Sequence, residues 1–288
     1  MKPITNNLPE RSPDEVDFER RFGGIARLYG APALARFRAA HVCVVGVGGV
    51  GSWVVEALAR SAIGSLTLID LDNVAESNVN RQIQAMSNTL GQAKVGALAE
   101  RIWQINPYCR VHQVEDFVTP DNLDAMIGAH QFDYVVDAID SVKAKTALIA
   151  YCRSHAIRLV TIGGAGGQID PTRIEMRDLC RTEQEPLLAK VRKRLRSQYG
   201  FPRGTKTKFG IDAVFSMEPL RMPDSGEACS LDADERAVTG LNCAGFGSAM
   251  VVTASFGMVA AAQVLRKLAA GDAVEVDQAE LAELGEPA

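Results

Sequence analysis

At 288 residues, with 47% hydrophobic and 23% charged residues, the chain can bury a large core and has the composition of an ordinary soluble globule. A formal net charge of −4 carries no overall nucleic-acid signature. The six cysteines, at 43, 109, 152, 180, 229 and 243, form no C-x-x-C pair, so free thiols are expected and a structural zinc site is not. Residues 1–20 read as a polar tail with Pro3, Pro9 and Pro13 and no apolar secretion signal, which points to the cytoplasm. Phe22 to Phe37 is predicted as a helix lying over the domain. Then come a strand at His41–Gly46, a helix at Val50–Ala62 and a strand at Ser65–Asp70. Residues 71–91 form a long polar connection, and loops of that length inside compact domains usually carry function. Gly91–Asn106 places Val95, Leu98, Ile102 and Ile105 at helical spacing and stops at Pro107. A strand at Arg110–Glu115, a helix at Asp121–Ala129, a strand at Phe132–Asp137, a helix at Ser141–His155 and a strand at Ile157–Ile162 follow. This alternation predicts an α/β fold with a doubly wound, mainly parallel sheet over residues 21–167.

Residues 168–271 read as a C-terminal extension, with an antiparallel strand over Gln168–Met176, a further strand over Asp212–Met217 and irregular chain over 218–240. Its 186–208 segment holds Lys190, Arg192, Lys193, Arg194, Arg196, Arg203, Lys206 and Lys208 with no acid among them. Between Arg236 and Arg266 no charge occurs, so 237–265 is long enough to span a bilayer. Its Gly, Ala and Thr content favours a tightly packed core or dimer helix over a membrane anchor. Residues 272–288 form an acidic tail.

The chemistry is concentrated at strand ends. Val42–Val45 runs into Gly46-Val-Gly48-Gly49-Val-Gly51 and a helix, and Asp70 lies 19 residues beyond Gly51. That is a dinucleotide-type phosphate turn: Gly46 permits the turn, Gly48 the approach of phosphate, Gly51 close packing of helix on strand, and an acid at this distance reaches ribose hydroxyls. A plain dinucleotide fold leaves Asn78, Arg81, Lys94 and Asp140 unexplained. Two cations suit a polyphosphate, and a carboxylate at a strand end can hold Mg2+ through waters.

Five motifs in order, Gly46–Gly51, Asp70-Leu-Asp72, Ser77-Asn-Val-Asn-Arg-Gln82, Gly91-Gln-Ala-Lys94 and Asp137-Ala-Ile-Asp140, resemble the signature of the adenylating family related to ubiquitin-activating enzymes. Arg21-Phe-Gly-Gly, the Gly163–Pro171 stretch, the basic segment and Asn242-Cys-Ala-Gly-Phe-Gly247 are similar to the branch of that family that dehydrates threonylcarbamoyladenosine in tRNA. The resemblance implies a Rossmann-like adenylating fold that uses ATP and Mg2+ to turn the threonyl carboxylate into an acyl-adenylate. An internal nucleophile then closes a ring and expels AMP. It assigns Gly46, Gly48, Gly49 and Gly51 to phosphate approach and Asp70 to ribose. Asp72 stays nearby with an open role. Asn78, Arg81 and Lys94 go to phosphate oxygens and transition-state charge, and Asp140 to the metal.

The resemblance further implies a homodimer and a tRNA partner carrying threonylcarbamoyladenosine, with 186–208 as the natural contact. A monovalent cation (K+ or Na+) and a cysteine desulfurase or sulfur-acceptor partner stay open. Two departures stand out. The paired C-x-x-C zinc motifs of many relatives are absent, which argues against activation of a small sulfur-carrier protein, the chief alternative. Arg21-Phe22 is followed by Gly23-Gly24 where relatives often place an arginine contributed across a dimer, leaving Arg21 or Arg27 as substitutes. Cys243 reads as packing rather than as a thioester nucleophile. A nicotinamide oxidoreductase and a non-catalytic scaffold are the other readings, and Arg81 with Lys94 weighs against the first.

Overall fold

The computed structural model describes residues 17–222 and 246–271. Four expectations lie wholly or largely outside the described residues: the polar 1–20 tail, the irregular chain over 218–240, Cys243 with its flanking motif, and the acidic 272–288 tail.

Seven strands form one sheet: β1 (His41–Val45), β2 (Ser65–Ile69), β3 (Arg110–Val114), β4 (Tyr134–Asp137), β5 (Leu159–Ile162), β6 (Ile174–Asp178) and β7 (Asp212–Ser216). Their spatial order is β3-β2-β1-β4-β5-β7-β6, all parallel except β6, which pairs antiparallel with β7 at one edge. The two C-terminal strands therefore extend the nucleotide-type sheet rather than found a new one. β1 is apolar at both phases of its pleat because both sheet faces are covered, as in parallel sheets generally. Val42 and Val44 join one core with α2 (Ala31–Ala39), α3 (Gly51–Arg60), α4 (Lys94–Ile105) and α7 (Met250–Ala270). Cys43 and Val45 join a second core with α5 (Val142–Ser154) and α6 (Pro186–Gln198). Strand order reverses between β1 and β4, so the crevice at their carboxyl ends is where ligands of such sheets bind.

Three sequence expectations are corrected. The Phe22–Phe37 helix is two helices, α1 (Phe18–Tyr29) and α2, because the Gly30 N–H closes on Ala26 O and Pro32 starts a new first turn. The strand expected from Gln168 begins at Ile174, since Asp170 caps a short turn over Pro171–Arg173. The helix expected over Asp121–Ala129 shrinks to one wide turn, Asp124–Gly128, held by the Tyr151 hydroxyl donating to Asp124 Oδ1 at 2.8 Å.

From Met250 onward the uncharged C-terminal run is a core helix. Val252, Phe256, Ala260 and Val264 of α7 are fully buried, and the helix lies along α3. Small residues allow this approach: a Cβ on Gly257 would stand 2.8 Å from Val50 O. Among the described residues α7 alone is long and apolar enough to cross a membrane, and the fold spends that apolarity on its interior.

At the amino end of β1 the His41 ring packs against His112 and Phe132, Phe132 in turn against His130, and His41 Nε2 lies 2.8 Å from Thr67 Oγ1. Burial, reinforced by its two neighbouring histidines, lowers His41 to about 4. Below its ordinary value near 6.5 the unfolded chain takes up a proton that the folded chain refuses, so stability is lost as pH falls from 6.5 toward 4. His41→Gln should flatten that limb in urea titrations at stepped pH. An unchanged slope would remove His41 as its cause.

Candidate active site

A cleft of about 550 Å³ opens at the strand-reversal point. Its floor is the turn after β1, its walls are Asp70 after β2, Asp140 after β4 and Gly163–Gly166 after β5, and Phe246 and Ser248 close it from the approach to α7. The turn is built as the glycine pattern predicts. Gly46 has φ +83°, and a Cβ on Gly51 would stand 1.8 Å from Gly46 O, so α3 sits against the strand only because position 51 lacks one. The amino end of α3 thereby faces the cleft.

Asp70 does more than face a ligand. Its Oδ2 accepts the Val47 N–H at 2.8 Å and its Oδ1 the Asp72 N–H at 3.0 Å, pinning the glycine turn to β2. Burial pushes its carboxyl above the ordinary value, while the Lys94 charge and these N–H groups oppose the shift. Lys94 opens α4 with its Nζ 2.7 Å from Asp72 Oδ2 and 4.0 Å from Asp70 Oδ1. The Lys94 side chain is only 7% exposed against 57% for Asp72, so Asp72 is the exposed counter-ion that holds a buried cation at the cleft wall.

Arg81 lies across the glycine turn: a Cβ on Gly49 would meet its Cδ at 3.3 Å. Its Nη1 donates to Ser77 O at 2.7 Å and Asn80 Oδ1 at 2.9 Å, and its own carbonyl accepts from Trp53 Nε1 at 2.9 Å. The long polar loop is therefore folded around this arginine, tied to α3 on one side and, through Asn80 Nδ2 donating to Ser248 O at 2.9 Å, to the start of α7 on the other. Burial lowers the Arg81 pKa from its ordinary value.

Asn78 does not join this group. It lines no part of the cleft; its Oδ1 accepts the Ala75 N–H at 3.0 Å and caps the short turn Glu76–Asn78 that carries Arg81 forward. Arg21 Nη1 donates to Gln104 O at 3.2 Å and Ile105 O at 2.9 Å at the carboxyl end of α4, and neither Arg21 nor Arg27 lines the cleft of its own chain, as a residue contributed across a dimer would not. Asp140 stands exposed at the cleft mouth, where its carboxylate meets solvent.

The cleft adds residues that carried no assignment from sequence. Gln82 lines it, and Gln84, fully inside, donates to both Gln82 Oε1 (3.1 Å) and Val47 O (3.0 Å), joining two loops. Lys143 supplies a third cation from the first turn of α5. Beneath the Asp140 loop lies a fully buried ion pair, Lys145 Nζ to Asp137 Oδ2 at 2.8 Å, with Thr161 donating to the same oxygen at 2.7 Å. Glu185 caps α6 and also accepts the Gly164 N–H at 3.1 Å, so the basic helix is bolted to the glycine loop of the cleft. Burial pushes the Glu185 carboxyl up.

This arrangement can hold a polyphosphate between a helix amino end and three cations, with carboxylates at the rim. Residues 22–282 match the model of the ThiF family. The chain belongs to the ThiF family. Among its relatives, the tRNA threonylcarbamoyladenosine dehydratase of Escherichia coli is 55% identical over 255 residues, 88% of this chain and 95% of that protein. The crystal structure of the E. coli tRNA N6-threonylcarbamoyladenosine dehydratase in complex with ATP superposes with a TM-score of 0.78 at 50% identity, over 93% of this chain and 98% of that one. The E. coli molybdopterin-synthase adenylyltransferase, also similar, is 35% identical over 121 residues, 42% of this chain. The ThiF-family match runs through the sheet and α7 alike, consistent with one continuous fold.

Proposed function

We propose that the protein is an ATP-dependent tRNA threonylcarbamoyladenosine dehydratase. The observation that carries this is the cleft itself, with Arg81, Lys94 and Asp140 around a phosphate-type turn, in a chain alike over nearly its whole length to a dehydratase whose crystal structure holds ATP. The nucleoside's free carboxylate attacks the α-phosphorus of ATP. A carboxyl O–P bond forms as the bond to pyrophosphate breaks. Hydroxide is a poor leaving group and AMP a good one, so a nucleophile within the same modification closes a ring and AMP departs with the carboxyl oxygen. Because both reactants belong to one nucleoside, proximity supplies much of the rate. Arg81 and Lys94 hold phosphate oxygens and offset charge on the departing pyrophosphate, and Asp70 meets the ribose. A cytoplasmic setting follows from a tRNA substrate.

Asp140 fits Mg2+ as a hard, solvent-facing oxygen donor. Among the described residues no three His, Cys, Asp or Glu side chains cluster as a closed metal cage, so the ion would take Asp140 together with phosphate oxygens of the nucleotide. Its chemistry there is neutralisation of phosphate charge. No thiol is required. Burial raises the pKa of each of the four described cysteines, pushing Cys109 and Cys152 up to about 12, which disfavours a thioester step on any of them.

We assign residues 21–167 to the nucleotide core and the basic 186–208 segment of the 168–271 extension to tRNA contact. On α6 the exposed cations are Lys190 and Lys193; Arg192 turns inward to Thr182, and Arg196 to Pro202 O and Gly204 O. A homodimer would cover the exposed Met250, Val251 and Met258 of α7. Incubation with ATP, Mg2+ and threonylcarbamoylated tRNA should give a nucleoside lighter by one water, with AMP and pyrophosphate. Pyrophosphate exchange that requires a small carrier protein, with no change in the nucleoside, would replace this reading by carrier activation.

A further inference from the structure

A second groove, of about 710 Å³, lies at the opposite end of the sheet from the cleft, at the amino ends of β4, β5 and β7. Five cations from separate segments converge on it: Arg158 before β5, Arg177 in β6, Arg181 after it, Lys208 before β7 and Lys267 near the end of α7. Two carboxylates share the lining, and both are committed to the fold. Asp178 accepts the N–H groups of Cys180, Phe209 and Gly210, and Asp212 accepts Gln263 Nε2 at 2.5 Å. Arg177 is answered by Glu175 Oε2 at 2.5 Å and Glu183 Oε1 at 3.3 Å, and the other four lining cations still outnumber the two lining carboxylates.

The groove is continuous with the basic helix. α6 is capped by Glu185, which is bonded to the cleft's Gly164, and packs against α5 and the Leu179–Arg181 turn. The chain then passes through Arg203 and Lys206 to Lys208, a lining residue, and Arg181 Nε donates to Thr205 O at 3.4 Å across that loop. Cations therefore mark a track from the nucleotide cleft along α6 to the far end of the sheet. The strands between the two ends are four or five residues long, about 15 Å, a span that one stem-loop of RNA covers.

We propose that this groove is a second, distal binding site for the phosphate backbone of the RNA whose modified adenosine occupies the cleft. The proposal rests on the tRNA reading above and adds where the rest of the nucleic acid goes. Each phosphate neutralised by a cation releases counterions, so affinity through the groove is read in its salt dependence. Sequence discrimination is not expected of it, since phosphates are the same in every tRNA.

The test compares wild type with R181Q/K208Q, both in the full chain, by fluorescence anisotropy of labelled tRNA across a salt series. ATP affinity is measured alongside. The variant should bind tRNA about tenfold more weakly at low salt, with the slope of log K against log salt reduced by about 1.4 to 1.8, and should bind ATP as wild type does. Equal tRNA affinity and equal slope in the two proteins overturn the groove site while leaving the function intact. Wild type that binds no tRNA at all overturns the function reading instead. A photo-crosslinking residue placed at position 208 should join to tRNA. Crosslinks confined, under saturating tRNA, to the chain's own acidic 272–288 sequence would assign the groove to that sequence and overturn the proposal.

Discussion

Lys94→Ala and Arg81→Ala are each expected to slow AMP formation by about 100- to 1000-fold, the usual cost of removing one preorganised donor from a site of developing negative charge. Both residues approach the cleft from the loop between β2 and α4, one across the glycine turn and one from the first residue of α4. Each is at least nine-tenths buried, so each charge is little screened by water and acts at close range. The effect should fall on turnover more than on ATP affinity, because charge builds on pyrophosphate only as the α-phosphorus bond breaks. Lys94→Ala is the cleaner of the two. Arg81 also organises its loop through Ser77 O and Asn80, so its loss disturbs geometry as well as charge. Single-turnover AMP release with saturating ATP and tRNA, in protein whose melting curve matches wild type, gives the answer. Turnover within tenfold of wild type for Lys94→Ala would take that residue out of the chemistry.

The fold and the heart of the cleft were legible in the sequence because they rest on local rules. Alternating apolar runs and amphipathic spacing state where strands and helices lie, and Gly46 and Gly51 occupy positions that a side chain cannot share. Long-range pairing was not legible. Asn78 and Arg81 sit three residues apart in one motif, yet a tight turn sends the first inward as a cap and the second across the phosphate turn. Arg21 lies 83 positions from the Gln104 carbonyl it bonds, and nothing local announces that contact. Within the basic segment, charge alone could not separate Lys190 and Lys193, which face solvent, from Arg192 and Arg196, which tie down neighbouring chain. Charge reversal at Arg192 would consequently test folding as much as tRNA contact, and Lys190 with Lys193 is the better pair.

Lys145→Met should destabilise the protein by about 3–5 kcal/mol, the cost of leaving one member of a buried ion pair without the other. Lys145 and Asp137 are both fully buried, and besides the 2.8 Å ion pair the ammonium donates to Asp137 O and Thr161 Oγ1, each at 3.2 Å. In the variant Asp137 keeps only the Thr161 hydroxyl and the Ile139 N–H as donors, too few to replace a cation in a site closed to water. One further measurement separates this cause from simple loss of packing. Lys145→Met combined with Asp137→Asn should recover much of the loss, because no unpaired charge is then left inside. A deficit undiminished in the double variant would assign the cost to shape instead. The same pair explains why a buried lysine belongs under an active site. Asp137 ends β4 and its Oδ1 receives the Ile139 N–H at 3.1 Å, so the ion pair fixes the first residues of the loop that presents Asp140 to the cleft. The double variant, folded but without that anchor, should accordingly bind ATP and turn over more slowly than wild type, separating the stability of the sheet from the aim of the Asp140 carboxylate at the cleft mouth.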